Sequence, residues 1–159
     1  MWPSTSTGVR TTLWCFLIVM SLAIVGLVSG GGYEAQAVVY QGFGSTTPGG
    51  AGGETVSVTN LNDSGPGSLR DALSQGHRTI VFEVSGTITL GSMIKVNGSF
   101  ITVDGSTAPA PGITLANAGL YISGSNSAHD LIVQDLRVRN SLADGITIRD
   151  SAYNIVIDH

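Results

Sequence analysis

Short apolar triplets, each bounded by small or polar residues, run from residue 80 to the last strand of the chain. They are Ile80-Val81-Phe82, Ile88-Thr89-Leu90, Ile94-Lys95-Val96, Ile101-Thr102-Val103 and Ile113-Thr114-Leu115. Leu120-Tyr121-Ile122, Leu131-Ile132-Val133, Leu136-Arg137-Val138, Ile146-Thr147-Ile148 and Ile155-Val156-Ile157 continue the series. β-branched residues dominate, and most triplets alternate apolar with polar, as a strand with one buried face does. Gly, Asn, Asp and Ser between them supply turn chemistry. Such strands are too short for an ordinary sandwich, but they repeat. Gly119-Leu120-Tyr121-Ile122 returns as Gly145-Ile146-Thr147-Ile148, and Ile101-Thr102-Val103-Asp104 returns as Leu131-Ile132-Val133-Gln134 and Ile155-Val156-Ile157-Asp158. A period in the twenties built from three-residue strands predicts a solenoid, with one strand on each of several faces in every turn. Two to three turns can be counted.

Upstream, Val56 and Val58 alternate with polar residues and predict a further strand. Asn62-Asp63-Ser64-Gly65-Pro66-Gly67 is dense turn chemistry, and Ser68-Leu69-Arg70-Asp71 reads as a capping box. Leu69, Ala72 and Leu73 share one helical face, so a short amphipathic helix is predicted over 68–75, ended by Gly76 in a left-handed conformation. A solenoid's open apolar end needs a cap with a polar outer side. Leu69 and Leu73 are expected to face the stack, with Arg70 and Asp71 outward. The fold class that follows is all-β, a parallel β-helix with an N-terminal amphipathic capping helix.

The first 37 residues read differently. Polar residues with one cation, Arg10, precede an apolar run over 13–28 that is broken only by Ser21. The run is shorter than the roughly 20 residues of a membrane span and just longer than the roughly 7–15 of a signal core. Ala35-Gln36-Ala37 fits a signal-peptidase site. Residues 1–37 are therefore expected to be a signal peptide, or else a membrane anchor through 13–28, and the rest of the chain to be extracellular. Cleavage removes Cys15, the chain's single cysteine. Residues 38–54 form a Gly-rich lead-in that lacks the Gly-Lys-Ser/Thr of a phosphate loop, and 55–159 form the β-helix.

Composition narrows the function. Charged residues are 11% of the chain, the net charge is −4 and the pI is about 5.1, which argues against a nucleic-acid binder. One cysteine excludes a disulfide framework and an all-cysteine metal site. Zinc-ligand, Ser-His-Asp and paired-carboxylate spacings are not evident. Arg137 and Arg139, two apart on a strand, share a face, and with Arg149 they are candidates for a basic strip that holds a polyanion. The alternative for all three is a solvated strand face. Asp144 precedes Gly145 and is either an oxygen ligand or ordinary turn chemistry. His77 and His129 read as surface turn residues.

The segments VTNLNDSGPGSLRDAL, RTIVFEVSGTITL, ITVDGSTAPAPGITL, HDLIVQDLRVRN, DGITI and NIVIDH together resemble the extracellular pectate lyases, which are right-handed parallel β-helix enzymes. The resemblance covers about Gly42 to His159. It implies calcium-assisted β-elimination on polygalacturonate or a related uronic-acid polymer, so the expected partner is an acidic plant or extracellular polysaccharide and the expected cofactor is Ca²⁺. It also implies that Asp144 is a calcium ligand. The family often has a second Asp two positions earlier, where this chain has Leu142, a departure. Asp158-His159 matches an Asp-His pair of the family that looks mainly structural. The catalytic base, an Arg in the family, and the other carboxylate ligands are expected after His159. Ile155-Val156-Ile157 is a core-type strand with no polar cap behind it, so the sequence is expected to be an incomplete β-helix, inactive by itself. Two other classes stay open. One is a non-catalytic β-helix that acts as an adhesin or carbohydrate binder; the other, ranked last, is a β-helix hydrolase needing clustered Asp pairs.

Overall fold

A computed structural model describes residues 39–159, so the signal or anchor expected over 1–37 lies outside the described residues. Its elements are β1 (Glu54–Val58), α1 (Leu69–Ala72), β2 (Arg78–Phe82), β3 (Gly86–Thr89), β4 (Ile94–Val96), β5 (Ile101–Asp104) and β6 (Ile113–Ala116). β7 (Leu120–Ser123), β8 (His129–Gln134), β9 (Leu136–Arg139), β10 (Ile146–Arg149) and β11 (Tyr153–Asp158) follow. Every predicted triplet lies on a strand, with Leu90 alone falling one residue past β3.

The strands make three parallel sheets: sheet A in the order β1-β2-β5-β8-β11, sheet B as β3-β6-β9, and sheet C as β4-β7-β10. Each circuit of the chain visits A, then B, then C, which is a three-faced parallel β-helix. Three full circuits (β2-β3-β4, β5-β6-β7 and β8-β9-β10) lie between β1 and β11, the upper figure of the two to three turns counted from the repeats, and β1 and β11 add one strand to sheet A at each end. The repeats themselves are the register: Leu120 pairs with Ile94 and Ile146, and Leu131 pairs with Ile101 and Ile155.

This register places like on like inside the helix. Ile80, Val103 and Val133 stack on sheet A, Ile88 and Leu115 on sheet B, and Ile94 with Leu120 and Val96 with Ile122 on sheet C, all buried. Each such side chain contributes about 1.5–3 kcal/mol by leaving water. The inward-facing Ile148 and Ile157 of the last circuit are half-exposed. Small polar residues carry the bends: Asn117, Asp135, Asn140 and Asp150 all have φ between 52° and 71°, where Asn and Asp cost least.

The cap forms, with corrections. The Ser68 hydroxyl accepts from the Asp71 N–H at 3.2 Å, and Leu69 and Leu73 are fully buried against the stack. The α-helix is four residues long instead of spanning 68–75, and His77 (φ 56°), not Gly76, takes the left-handed conformation. Gly76 packs against the backbone of Ser99 in the next circuit. Arg70 does not point outward. Its guanidinium donates to the Asp63 carboxylate and carbonyl and to the carbonyls of Ser92 and Met93, while the second Asp63 oxygen accepts from the Gly91 N–H. Five donors on one rigid fork let Arg70 stitch the cap to the bend that feeds β4.

The Gly-rich lead-in is a strap across the outside of sheet A. The Tyr40 hydroxyl donates to Gln134 on β8, and the Gly50 N–H donates to Thr102 Oγ1 at 2.9 Å. Thr79 Oγ1 donates to the Gly50 carbonyl at 3.2 Å. A Cβ on Gly44 would sit 2.6 Å from the Ile155 carbonyl oxygen, and one on Gly50 2.1 Å from that of Arg78. Only glycine lets the strap lie this close to the sheet. Under it, Ile132 and Val156 are buried although they face outward. Beside the strap, His77, Phe100, His129 and Tyr153 form a ring ladder along the helix axis, with centroid spacings of 4.8, 5.3 and 4.9 Å. His77 lies exposed in a bend, as expected, but His129 is half-buried on β8 with its Nδ1 2.7 Å from the Asp130 carboxylate, because the circuits stack it between Phe100 and Tyr153.

Arg70→Ala is expected to cost about 2 kcal/mol in chemical denaturation, because it leaves a carboxylate and three carbonyls without their donor. The hydrogen bond from Arg70 holds the Asp63 carboxyl below its usual range. A folded pKa below the unfolded one gives stability that is present above the unfolded value of about 3.9 and is lost as pH falls through the folded value. Thermal melts below about pH 4 should therefore fall more steeply for the unaltered chain than for Asp63→Asn.

Candidate functional site

Charge is sorted by face. The strands of sheet A carry Glu54, Asp104, Asp130 and Asp158, with Arg78 as their one cation. Arg78 is buried, donating to the Ala72 carbonyl and to Gln75. The strands of sheets B and C carry Lys95, Arg137, Arg139 and Arg149 and no carboxylate. Alternation along each strand turns these four cations outward, because their neighbours Ile94, Val96, Leu136, Val138 and Ile148 belong to inward rows. A net-negative protein thus presents two positively charged faces and one acidic, strapped back.

Sheet C holds an outward row in which Lys95 pairs in register with Tyr121, and Tyr121 with Thr147. Arg149 lies two residues beyond Thr147. Its pKa is raised, chiefly by a hydrogen bond to Asp150, with a smaller contribution from Tyr121. Arg149 Nε lies 3.3 Å from the Asp150 carboxylate. That carboxylate also accepts from the Ser123 hydroxyl at 2.7 Å, the main reason it is held below its usual range. Lys95 and Tyr121 were not singled out in the sequence. The signal was available, because the 26-residue return of the Gly119 segment puts Tyr121 over Thr147, and the triplet centred on Lys95 falls in the same row.

Arg137 and Arg139 are on β9 in sheet B, so the three candidate arginines do not share one sheet. Arg137 Nε donates to Thr114 Oγ1 at 3.1 Å and its Nη2 to the Pro111 carbonyl. Arg139 Nη1 donates to the Val138 carbonyl at 3.0 Å. Among the described residues, Lys95, Arg137 and Arg139 enter no ion pair.

Asp144 lies in the turn from sheet B to sheet C, exposed, and its carboxylate accepts from Thr147 Oγ1 at 3.3 Å. At the position where the resemblance implies a second acidic ligand, Leu142 is 93% exposed and offers an apolar side chain. Calcium takes six to eight oxygen ligands. No group of three or more His, Cys, Asp or Glu among the described residues is arranged to hold a metal. These residues alone do not fit a calcium cage. Asp158 and His159 sit at the end of β11, with His159 Nδ1 2.9 Å from the Asp158 carboxylate and its side chain largely exposed.

No family model matches the chain. Curated relatives do. A protein of Emericella nidulans named probable pectate lyase C is 44% identical over 124 residues, which is 75% of this chain and 28% of that protein. Proteins of the same name from Aspergillus flavus and Neosartorya fischeri are 43% and 42% identical. The chain covers 28% and 27% of those two. The chain therefore spans little more than a quarter of the length of the relatives it matches. Among solved structures, the crystal structure of jun a 1, the major allergen from cedar pollen, superposes with a TM-score of 0.62 at 28% identity, covering 76% of this chain and 41% of that one. In sequence the chain resembles the proteins named probable pectate lyase C over the part of them that it spans, and in fold it resembles jun a 1.

Proposed function

We propose that this chain is part of a secreted, pectate-lyase-like polysaccharide lyase, and that its contribution is to hold a uronic-acid polymer against sheet C. One observation carries the reading: the strands of sheets B and C carry four outward cations and no carboxylate, while those of sheet A carry four carboxylates; Asp144 and Asp150 lie in the bends beside sheet C. A polymer with a carboxylate on each sugar is drawn to such a face and away from sheet A. The similarity to proteins named probable pectate lyase C supports the same substrate class.

On sheet C, Lys95 supplies a mobile point charge and Tyr121 a flat ring with a hydroxyl edge, groups suited to a carboxylate and to a sugar. Arg149 is tethered by Asp150, so its fork is held in place while part of its charge is offset. Arg137 and Arg139 extend the positive surface onto the neighbouring face. Asp144, at the edge of sheet C, is the residue proposed to contribute a calcium ligand. It supplies one carboxylate where a calcium site needs several oxygens, and no chemical step is assigned to the described residues. Residues 1–37 are proposed to direct export. A carbohydrate-binding β-helix without chemistry is the second reading, favoured by Leu142 standing where the resemblance implies a second acidic ligand.

A chimera separates the two readings. Residues 38–159 replace the matching segment of the Emericella nidulans relative, and release of unsaturated uronate from polygalacturonate is followed by ultraviolet absorbance. The lyase reading predicts calcium-dependent product, reduced at least tenfold by Asp144→Ala (about 1.4 kcal/mol or more in the barrier). A folded chimera that binds the polymer and releases no product favours the binder.

A further inference from the structure

We propose that the outer face of sheet B is a second polyuronate-holding surface, distinct from sheet C and independent of calcium. The substrate class rests on the reading above; the site does not. In sheet B the outward rows are Thr87, Thr114 and Arg137, and Thr89, Ala116 and Arg139, each in register across β3, β6 and β9. Two circuits thus present only threonine and alanine, a flat shelf, and the third presents two arginines. No strand of this sheet contributes an acidic residue. Residues two apart on a strand are separated by about 6.6 Å; from β9 the Arg137 guanidinium lies back over Thr114 of β6 towards Pro111, and the Arg139 guanidinium lies against the Val138 carbonyl.

Both forks keep most of their donors. A guanidinium has five N–H groups. Arg137 commits two, to Thr114 and Pro111, and these contacts fix the direction of its side chain. Arg139 commits one, to the Val138 carbonyl. On sheet C, by contrast, Arg149 is paired with Asp150, leaving Lys95 as the cation without a carboxylate partner among the described residues. More unpaired positive charge therefore stands on sheet B than on sheet C. The occupant that fits is an extended polymer with repeated carboxylates, each taken by a guanidinium fork. Single exposed contacts of this kind are weak and salt-sensitive, and repetition along one polymer makes them effective. With sheet C, such a surface lets one protein grip a polymer at two places, or two polymers at once.

The test is affinity electrophoresis of the chain in gels containing polygalacturonate, with EDTA present and at low ionic strength. Retardation is expected to persist in EDTA, to weaken about tenfold in Arg137→Gln/Arg139→Gln, and to return in Arg137→Lys/Arg139→Lys. A retardation that still depends on Arg137 and Arg139 should remain in Lys95→Gln/Arg149→Gln, and none is expected in gels of fully methyl-esterified polymer. Arg139→Gln alone, which removes a single backbone contact, should already show part of the loss without a change in thermal stability. The proposal is overturned if there is no retardation in EDTA. It is also overturned if retardation is indifferent to both arginines, or if Lys95→Gln/Arg149→Gln abolishes it. A chimera that releases no unsaturated uronate, beside EDTA-resistant retardation that depends on Arg139, fails the lyase reading and leaves this one standing.

Discussion

The structure depends on one constraint: each inward side chain must land on a similar one in the circuit above and below. In-register parallel pairing imposes this, since a slip of one residue would turn every apolar position outward. Ile94 on Leu120 and Val103 on Val133 satisfy it. The spacing between paired residues varies, from 23 (Ile101 after Arg78) to 30 (Leu131 after Ile101), because bends absorb the difference. Asn and Asp in left-handed conformations make those bends short. The cap and strap answer the same constraint at its margins. Leu69 and Leu73 close the first circuit, and the lead-in shields the outward Ile132 and Val156.

Because the inward positions are committed to packing, chemistry can reside only on outward positions and in bends. There the three faces diverge. Sheet A carries carboxylates and is covered by the strap, whereas sheets B and C carry cations. The sorting gives a protein of net charge −4 two surfaces that attract a polyanion. Local charge, not net charge, decides what such a protein can hold.

Much of the fold is legible in the sequence because the solenoid writes its period into it. The triplets and the return of Gly119-Leu120-Tyr121-Ile122 foretell strand positions and even register. Less legible are features made by residues distant in the chain. Arg70 reads as an outward helix charge, yet it reaches the carbonyls of Ser92 and Met93, which no helical pattern reveals. The strap reads as a loop because glycine signals turns, while here it permits close approach to a sheet assembled from five strands far apart in the sequence. Phe100 and Tyr153 join His77 and His129 only once the circuits are stacked. For the site, Arg137, Arg139 and Arg149 are visible as cations on strands, but their division between two sheets depends on the six-residue bend from Asn140 to Gly145. Lys95 and Tyr121 are hidden in plain triplets until the register aligns them.

The central claim is that the outward faces of sheets B and C, and not sheet A, meet the polymer. Chemical-shift mapping of the isotopically labelled chain with a short galacturonate oligomer tests this most directly. The account predicts perturbations at Lys95, Tyr121, Thr114, Arg137 and Arg139, with Thr102, Asp104 and the strap residues Thr47 and Gly50 unmoved. Shifts concentrated on Asp104, Asp130 and the strap, with sheets B and C silent, would contradict it.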